Sequence, residues 1–147
     1  MMLFFLIFLG TFLLIEFITW YSHKFVMHGF LWYIHAVHNQ PKYNDIFERN
    51  DLFFVIFAIP SILLFTYGSS DGFDYLFFIG LGIFGYGLSY FIVHDSIIHQ
   101  YFKLFKNTKN KYLIALRKVH NLHHKHLGKE YGECFGMLFV PLKYFKV

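Results

Sequence analysis

Charged side chains are scarce in this sequence. They make up 15% of its 147 residues, against about 25% in an ordinary soluble domain, while 56% of the residues are hydrophobic and 24% are aromatic. So few charged groups leave too little polar surface to cover a folded domain in water. The composition therefore argues against a soluble protein, and the length predicts a single domain over residues 1–147.

Cysteine and several catalytic motifs are missing as well. Cys134 is the sole cysteine, which excludes an internal disulfide and a cysteine-rich zinc or iron–sulfur site. The sequence has no HExxH motif and no serine in a nucleophile elbow, so the signatures of zinc proteases and lipases are absent. It also lacks a nucleic-acid-binding motif, and no nucleic-acid partner is expected.

Long apolar runs are what the sequence has instead. Residues 1–21 are apolar apart from Glu16 and, at 1.5 Å per residue in a helix, extend about 30 Å, enough for one membrane crossing. No Lys or Arg precedes this run and no cleavage site follows it, so we expect a permanent span. Residues 52–67 form a shorter run that contains Pro60, and residues 73–93 form a third. The pattern predicts an all-α, integral membrane helical bundle with about three spans.

The third run carries four glycines: Gly80, Gly82, Gly85 and Gly87. Small residues let the backbones of two helices approach closely. We therefore expect one thin flank on this helix, packed tightly against a neighbour.

Basic residues mark one side of the predicted bundle. All 13 Lys and Arg lie between Lys24 and Arg49 or after Val93, whereas residues 68–73 contain none. Cytoplasmic loops of membrane proteins carry such an excess of basic residues. We therefore expect a multi-pass protein with its amino terminus outside and both basic segments in the cytoplasm. The net charge of +4 suits contact with anionic lipid.

The histidines fall in the same two segments. Ten are present, and none occurs before His23 or between Leu52 and Val93. Imidazole is the commonest metal ligand that proteins supply. Each half of the chain has a pair with four residues between its members, just after an apolar run, followed by a closer group. The pairs and groups are His23 and His28 with His35 and His38, then His94 and His99 with His120, His123, His124 and His126.

Helical spacing indicates which histidines can share a metal. On an ideal α-helix, His120, His123 and His124 project within about 100° of one another and His35 and His38 within about 60°, so each set can face one site. A separation of five residues turns by about 140°, so a single metal could not easily take both members of a wider pair. We expect each such pair to lie across a helix end or to serve two metals. His126 points away from the shared face. Nine histidines exceed the roughly six ligands of an octahedral ion, which predicts two metals.

The histidines lie in longer stretches that resemble a known family. The segments WYSHKFVMHGFLW, IHAVHN, YGLSYFIVHDSIIHQ and VHNLHHKHLGKE occur in this order, and the likeness extends from Glu16 to Pro141. These segments resemble the bacterial β-carotene 3-hydroxylases of the fatty-acid hydroxylase superfamily. Asp95 and Glu130 match besides the histidines, which makes the likeness more specific than scattered HxxH motifs.

The resemblance implies an all-helical membrane protein whose histidine boxes hold two non-haem irons at the cytoplasmic helix ends. The family has histidine where this chain has Asn39, which could bind iron through its carbonyl or a water molecule, or one metal could be lost. Asp95, the candidate catalytic carboxylate, could orient a ligand histidine or act as a helix-end charge. Glu16 could hydrogen-bond to a ligand histidine or another helix, or take up a proton. The implied iron ligands are His23, His28, His35, His38, His94, His99, His120, His123 and His124.

The activity that the resemblance implies is O2-dependent hydroxylation of the β-ionone ring, from β-carotene through cryptoxanthin to zeaxanthin. The electrons would come from a ferredoxin-like donor that docks on a basic cytoplasmic face, which Lys103, Lys106, Lys109 and Lys111 help to form. Two alternatives stay open. One is a sterol or fatty-acid hydroxylase or desaturase with the same di-iron site, and the other is a non-enzymatic, histidine-rich metal or haem-binding membrane protein.

Overall fold

A computed structural model describes residues 1–39, 52–100, 105–125 and 135–145, with side chains except at residues 37–39, 52–53 and 95. Within these ranges the regular secondary structure is helical, and no extended strand occurs. Helix α1 continues directly into a first π-helical segment, and α4 continues into a second. The elements are α1 (Met2–Tyr21), the first π segment (Ser22–Phe30), α2 (Trp32–Asn39), α3 (Leu52–Gly68), α4 (Tyr75–Tyr90), the second π segment (Phe91–Ile98), α5 (Lys111–Lys125) and a 3-10 turn (Leu142–Phe145).

Helices α3 and α4 form an antiparallel hairpin. Asp74 caps the start of α4, because its carboxylate accepts hydrogen bonds from the backbone N–H groups of Leu76 at 2.8 Å and Phe77 at 3.2 Å. Farther along, the Ser61 hydroxyl donates to the carbonyl of Gly80 at 3.0 Å. Both helices are apolar around their whole circumference, so they are held together by side-chain packing supplemented by these polar contacts.

Helix α1 packs parallel to α4. The ring of Phe4 stacks on Phe78 with centroids 4.6 Å apart, and farther along Phe12 meets Tyr86 edge-on at 5.5 Å. The buried core at this contact includes Ile15, Ile83, Tyr86 and Met137. Because the two helices run in the same direction, both π segments emerge at the same end of the bundle. The histidines of the two halves are thereby brought together.

The glycines of α4 make two different close contacts. A Cβ on Gly80 would lie 3.0 Å from Leu64 Cβ in α3, and one on Gly82 would lie 2.7 Å from Thr11 Cβ in α1. A Cβ on Gly85 would approach the Phe8 ring at 3.3 Å, whereas one on Gly87 would have no neighbour within 4 Å. The predicted thin flank is therefore present at Gly82 and Gly85, which face α1, whereas Gly80 lies on a second close flank that faces α3. Because α4 packs between α3 and α1, it needs close approach on two flanks, and Gly87 takes part in neither.

In the part of the chain that the structure describes, two helical runs are long and apolar enough to cross a membrane, Met2–Phe30 and Tyr75–Ile98. The third apolar helix, α3, has 17 residues and continues through Pro60, so it extends about 25 Å and is shorter than the other two, as its sequence predicts. Large apolar side chains such as Phe5, Leu14 and Ile62 are more than half exposed. Such outward-facing apolar surface is suited to lipid rather than water.

Replacing Gly82 by alanine should destabilise the contact between α1 and α4. The new methyl group would overlap Thr11, which we expect to lower the free energy of unfolding by about 1–3 kcal/mol. The matched control is Gly87→Ala, which fills open space and should be neutral or stabilising by up to about 1 kcal/mol through helix propensity. Denaturant titration in detergent, followed by circular dichroism, measures both. Equal stability of the two variants would contradict the assigned packing.

Candidate metal centre

The two π segments explain the wide histidine pairs. The N–H of Leu31 donates to the carbonyl of Val26 at 3.0 Å, and the N–H of His99 donates to the carbonyl of His94 at 2.9 Å. In both cases the hydrogen bond reaches back five residues, and in π-helical turns residues five apart lie one above the other. The first π segment leaves helical geometry at Gly29, which follows the pair His23 and His28. The ring centroids of His94 and His99 are accordingly 4.4 Å apart.

The expectation that one metal could not easily take both members of a wide pair is therefore wrong. It assumed α-helical turns, whereas the chain widens to π-helical turns at both pairs. The helix does not end between His23 and His28, and their ring centroids are 5.2 Å apart. Both members of each pair enter the same cluster.

The first cluster consists of His23, His28, His35 and His123. Its ligating nitrogens all lie within 4.8 Å of one another. The Nε2 atoms of His23 and His35 are 3.1 Å apart, and those of His28 and His123 are 3.2 Å apart. His35 and His123 are each only 1% exposed. Residues from the first π segment, α2 and α5 thus converge in a buried pocket.

The second cluster contains His94, His99 and His120, whose ligating nitrogens also lie within 4.8 Å of one another. The Nε2 atoms of His99 and His120 are 3.1 Å apart. His124 adjoins these three, because its Nε2 is 2.7 Å from that of His120 and its ring centroid is 5.1 Å from that of His99. The second π segment and α5 therefore supply four more imidazoles.

Helix α5 contributes histidines to both clusters. His123 joins the first cluster, while His120 and His124 join the second, so the three residues expected to face one site are divided between two. The ring of His123 is 6.1 Å from that of His120 and 5.8 Å from that of His124, centroid to centroid. The two clusters are consequently immediate neighbours along α5.

A backbone carbonyl orients one ring of the first cluster. His23 Nδ1 lies 3.0 Å from the carbonyl oxygen of Phe135, so Nδ1–H donates and Nε2 is left with its lone pair toward the cluster. The Phe135 ring also packs edge-on against His23, His28 and His123 at 5.0–5.4 Å between centroids. Phe135 therefore both sets the tautomer of a ring and covers the cluster with apolar surface.

Arg117 organises the backbone next to the second cluster. Its Nε donates to the carbonyl of Ile97 at 2.7 Å, its Nη2 to that of Phe105 at 2.7 Å, and its Nη1 to that of Lys106 at 3.2 Å. These bonds tie α5 to the end of the second π segment, beside His99. Sequence reasoning did not single out this residue, because its partners are carbonyls and carbonyls leave no motif.

Glu16 is buried, with 2% of its surface exposed. Its Oε2 accepts a hydrogen bond from the Tyr86 hydroxyl at 2.6 Å, and its Oε1 accepts from the backbone N–H groups of Met137 at 3.1 Å and Leu138 at 2.9 Å. Among the alternatives left open by the sequence, the hydrogen bond to another helix is therefore the one observed. The Tyr112 hydroxyl donates to the Leu138 carbonyl at 2.6 Å. Burial raises the pKa of this phenol, and the negative charge of Glu16 raises it further.

An apolar cavity of about 600 Å³ opens between α1, α3 and α4. Its walls include Phe57, Phe65, Phe84 and Met137, and imidazoles of both clusters line it as well: His23 and His35 from the first, His94 and His120 from the second. An apolar molecule in this cavity would therefore meet both clusters.

Several candidates lie outside the described residues. The side chains of His38, Asn39 and Asp95 are among them, and so are His126, Glu130 and Lys103. Their expected roles stay predictions.

The two clusters fit metal ions. For ligand nitrogens about 2.1 Å from one ion, neighbouring nitrogens are separated by about 3.0 Å at octahedral angles and about 3.4 Å at tetrahedral angles. The separations of 3.1 and 3.2 Å within the first cluster and 3.1 Å within the second match this range, whereas the 2.7 Å between His120 and His124 lies below it. Imidazole ligands suit iron, zinc, copper and nickel. Four imidazoles in each cluster make eight, which is more than one ion accepts.

Sequence comparison assigns the chain to a family. It belongs to the fatty acid hydroxylase family, whose sequence profile matches residues 8–140. The resemblance seen in the histidine-containing segments is thereby confirmed.

The individual relatives have more specific descriptions than the family does. The chain is 42% identical over 126 residues to a beta-carotene hydroxylase of Pantoea ananas, covering 86% of this chain and 71% of the relative. It is 36% identical over 138 residues to the beta-carotene hydroxylase of Paracoccus sp. (strain PC1), covering 93% and 84%. Beta-carotene hydroxylase 2, chloroplastic, of Capsicum annuum is 36% identical over 126 residues, covering 82% of this chain and 41% of that protein. No solved structure matches the chain.

Replacing Arg117 by glutamine should loosen the link between α5 and the second π segment. One partly buried carbonyl, that of Ile97, and two exposed carbonyls would lose their donor, which we expect to cost about 1–3 kcal/mol of unfolding free energy. The adjacent exposed cation supplies the control, since Lys118→Gln should change stability by less than about 0.5 kcal/mol. Denaturant titration in detergent compares them. Matching midpoints would show that the Arg117 contacts are dispensable.

Proposed function

We propose that this chain is a non-haem di-iron hydroxylase that uses O2 to hydroxylate the β-ionone ring of carotenoids, converting β-carotene through cryptoxanthin to zeaxanthin. The observation that carries the proposal is the pair of four-imidazole clusters lining one apolar cavity. The beta-carotene hydroxylases among its relatives support the choice of substrate.

In this proposal each cluster holds one iron. His23, His28, His35 and His123 would bind the first ion, and His94, His99, His120 and His124 the second. His38 and Asn39 are further candidate ligands, and Asp95 is a candidate partner for a ligand ring N–H. When bound, the irons supply O2 activation and oxidising power, which no amino-acid side chain provides. One oxygen atom is inserted into the C–H bond, and the other would leave as water, with two electrons delivered one at a time by the ferredoxin-like donor and two protons taken up from solvent.

The protein contributes position and exclusion of water. A carotenoid ring offers no polar group near its reacting C–H bond, so the site must select that bond by shape alone. The apolar walls of the cavity, including Phe57 and Met137, can bind the ring, and a volume of about 600 Å³ lies within the usual range for small-molecule sites. Phe135 covers the first cluster with its ring, which keeps water from these imidazoles.

We further propose three membrane crossings, made by α1, α3 and α4 within a single domain over residues 1–147. Their alternating directions support the histidine segments lying on one side, which the basic residues suggest is cytoplasmic, with the amino terminus outside. At the end of α1, Lys24 Nζ lies 5.2 Å from the centroid of the Trp20 ring, an arrangement typical of the membrane interface. Exposed Lys106, Lys109 and Lys111 would receive the acidic electron donor.

A fatty-acid or sterol hydroxylase or desaturase is the second candidate. The family is named for fatty acid substrates, and the apolar cavity walls carry no group specific for a carotenoid. The same metal centre and the same electron donor would serve this reaction.

Expression in cells that accumulate β-carotene tests the substrate. We expect zeaxanthin to form, and His35→Ala to lower the yield at least about 100-fold because it removes a proposed iron ligand. Lys118→Gln, on the exposed face of α5, should retain activity. Chromatography of extracted pigments and of acyl chains provides the measurement. Unchanged β-carotene alongside hydroxylated acyl chains would favour the second candidate.

Iron analysis of the purified full chain tests the metal centre. We expect about two irons per chain, and about one in both His28→Ala and His99→Ala, because each change opens a different cluster. His126→Ala serves as the histidine control, since its spacing does not predict a ligand, and should keep both. Loss of both irons in each single variant would argue against two separately held ions, and a Soret band would indicate haem instead.

A further inference from the structure

Residues 135–138, which we call the strap, cross the first cluster and the cavity together. Phe135 contributes the carbonyl that accepts from His23 Nδ1–H and the ring that covers three imidazoles. Phe135, Gly136 and Met137 also line the cavity wall. The position of the strap therefore affects both the metal ligands and the space for substrate.

The strap has no regular secondary structure to hold it in place, so its backbone depends on groups from other elements. Glu16 of α1 supplies the main one, because Oε1 accepts from two consecutive strap amides, those of Met137 and Leu138. Consecutive N–H groups turned toward one carboxylate oxygen form a compact, charge-assisted contact. From the other side, Tyr112 of α5 donates to the Leu138 carbonyl.

The fit between Glu16 and the strap is close. A Cβ added to Gly136 would lie 3.2 Å from Glu16 Oε1 and 3.5 Å from Trp20 Cδ1, so the strap backbone passes directly over α1 at this glycine. The second carboxylate oxygen is held by the Tyr86 hydroxyl at 2.6 Å, which fixes the Glu16 side chain itself. A carboxyl group within an apolar helix is costly unless it is paired in this way.

We propose that Glu16 is a positioning residue for the first metal: by holding the strap, it keeps the Phe135 carbonyl on His23 Nδ1 and the Phe135 ring over the cluster. Glu16 acts through the strap and is not itself a ligand. Its effect on iron rests on the proposed function, whereas its hold on the strap does not. The two parts can therefore be tested separately.

Amide hydrogen exchange tests the hold on the strap in the full chain without added metal. In Glu16→Leu the Met137 and Leu138 amides lose their acceptor, and we expect them to exchange at least about tenfold faster. Glu16→Gln retains a carbonyl oxygen and should stay near wild type. Gly82→Ala, which weakens α1 packing elsewhere, should leave these two amides protected relative to the rest of the chain. If Glu16→Leu does not fold, Glu16→Asp replaces it, since the shorter side chain cannot reach both amides.

Iron analysis then tests the consequence for the first cluster. In the His99→Ala background, which leaves the first cluster intact, Glu16→Leu should reduce bound iron at least about fivefold, because the His23 ring loses its orienting partner. In the His28→Ala background, which leaves the second cluster intact, the same substitution should change iron content little. Glu16→Gln should restore binding in the first background.

Three outcomes would overturn the proposal. One is slow exchange of the Met137 and Leu138 amides in Glu16→Leu, or in Glu16→Asp where that variant replaces it. Another is equal loss of iron from both clusters, which would mean a general structural role. The third is fast exchange of the amides with full iron binding at the first cluster. Absence of iron from the wild-type protein would instead contradict the proposed function and leave the exchange result standing.

Discussion

The hydrogen bonds that reach back five residues, after α1 and again after α4, are the constraint on which the candidate metal centre depends. They accompany the π-helical turns that bring His28 close to His23 and His99 close to His94. A continuous α-helix would point the members of each pair in directions about 140° apart. π-helical turns have less favourable hydrogen-bond geometry than α-helical turns and are therefore rare. Those that occur are frequent at functional sites. Here their benefit is two convergent pairs of imidazoles on helices that are otherwise regular and apolar.

Parallel packing of α1 and α4 then combines the two halves of the chain. Each π segment supplies one pair, and α5 supplies the ligands that close both clusters: His123 for the first, His120 and His124 for the second. Because these three residues share one rigid helix, the distance between the clusters is set by the helix itself rather than by a flexible loop. Arg117 on the same helix binds the Ile97 carbonyl, which ties this spacing to the second π segment.

Composition and spacing predicted the helical class, the apolar runs and the grouping of the histidines, because hydrophobic runs and repeated imidazoles are local features of sequence. The predictions failed where the structure departs from the rule that was assumed for it. The π turns invalidated the α-helical angle for His23 and His28, and the packing of α4 between two helices separated Gly80 from Gly82. The partners of Glu16 were beyond prediction for a different reason: they are backbone amides 121 and 122 residues away, and an amide has no residue identity.

Among the described residues, two other side chains near the clusters also have backbone partners. His23 is oriented by a carbonyl, Arg117 bonds to three carbonyls, and Glu16 binds two amides in addition to the Tyr86 hydroxyl. A backbone group survives substitution of its own side chain, provided that the chain keeps its path. These contacts of His23, Arg117 and Glu16 therefore place little demand on the identity of the residues that supply the backbone groups. A metal centre supported in this way tolerates wide sequence change around it, which is compatible with relatives that share only 34–42% identity with this chain.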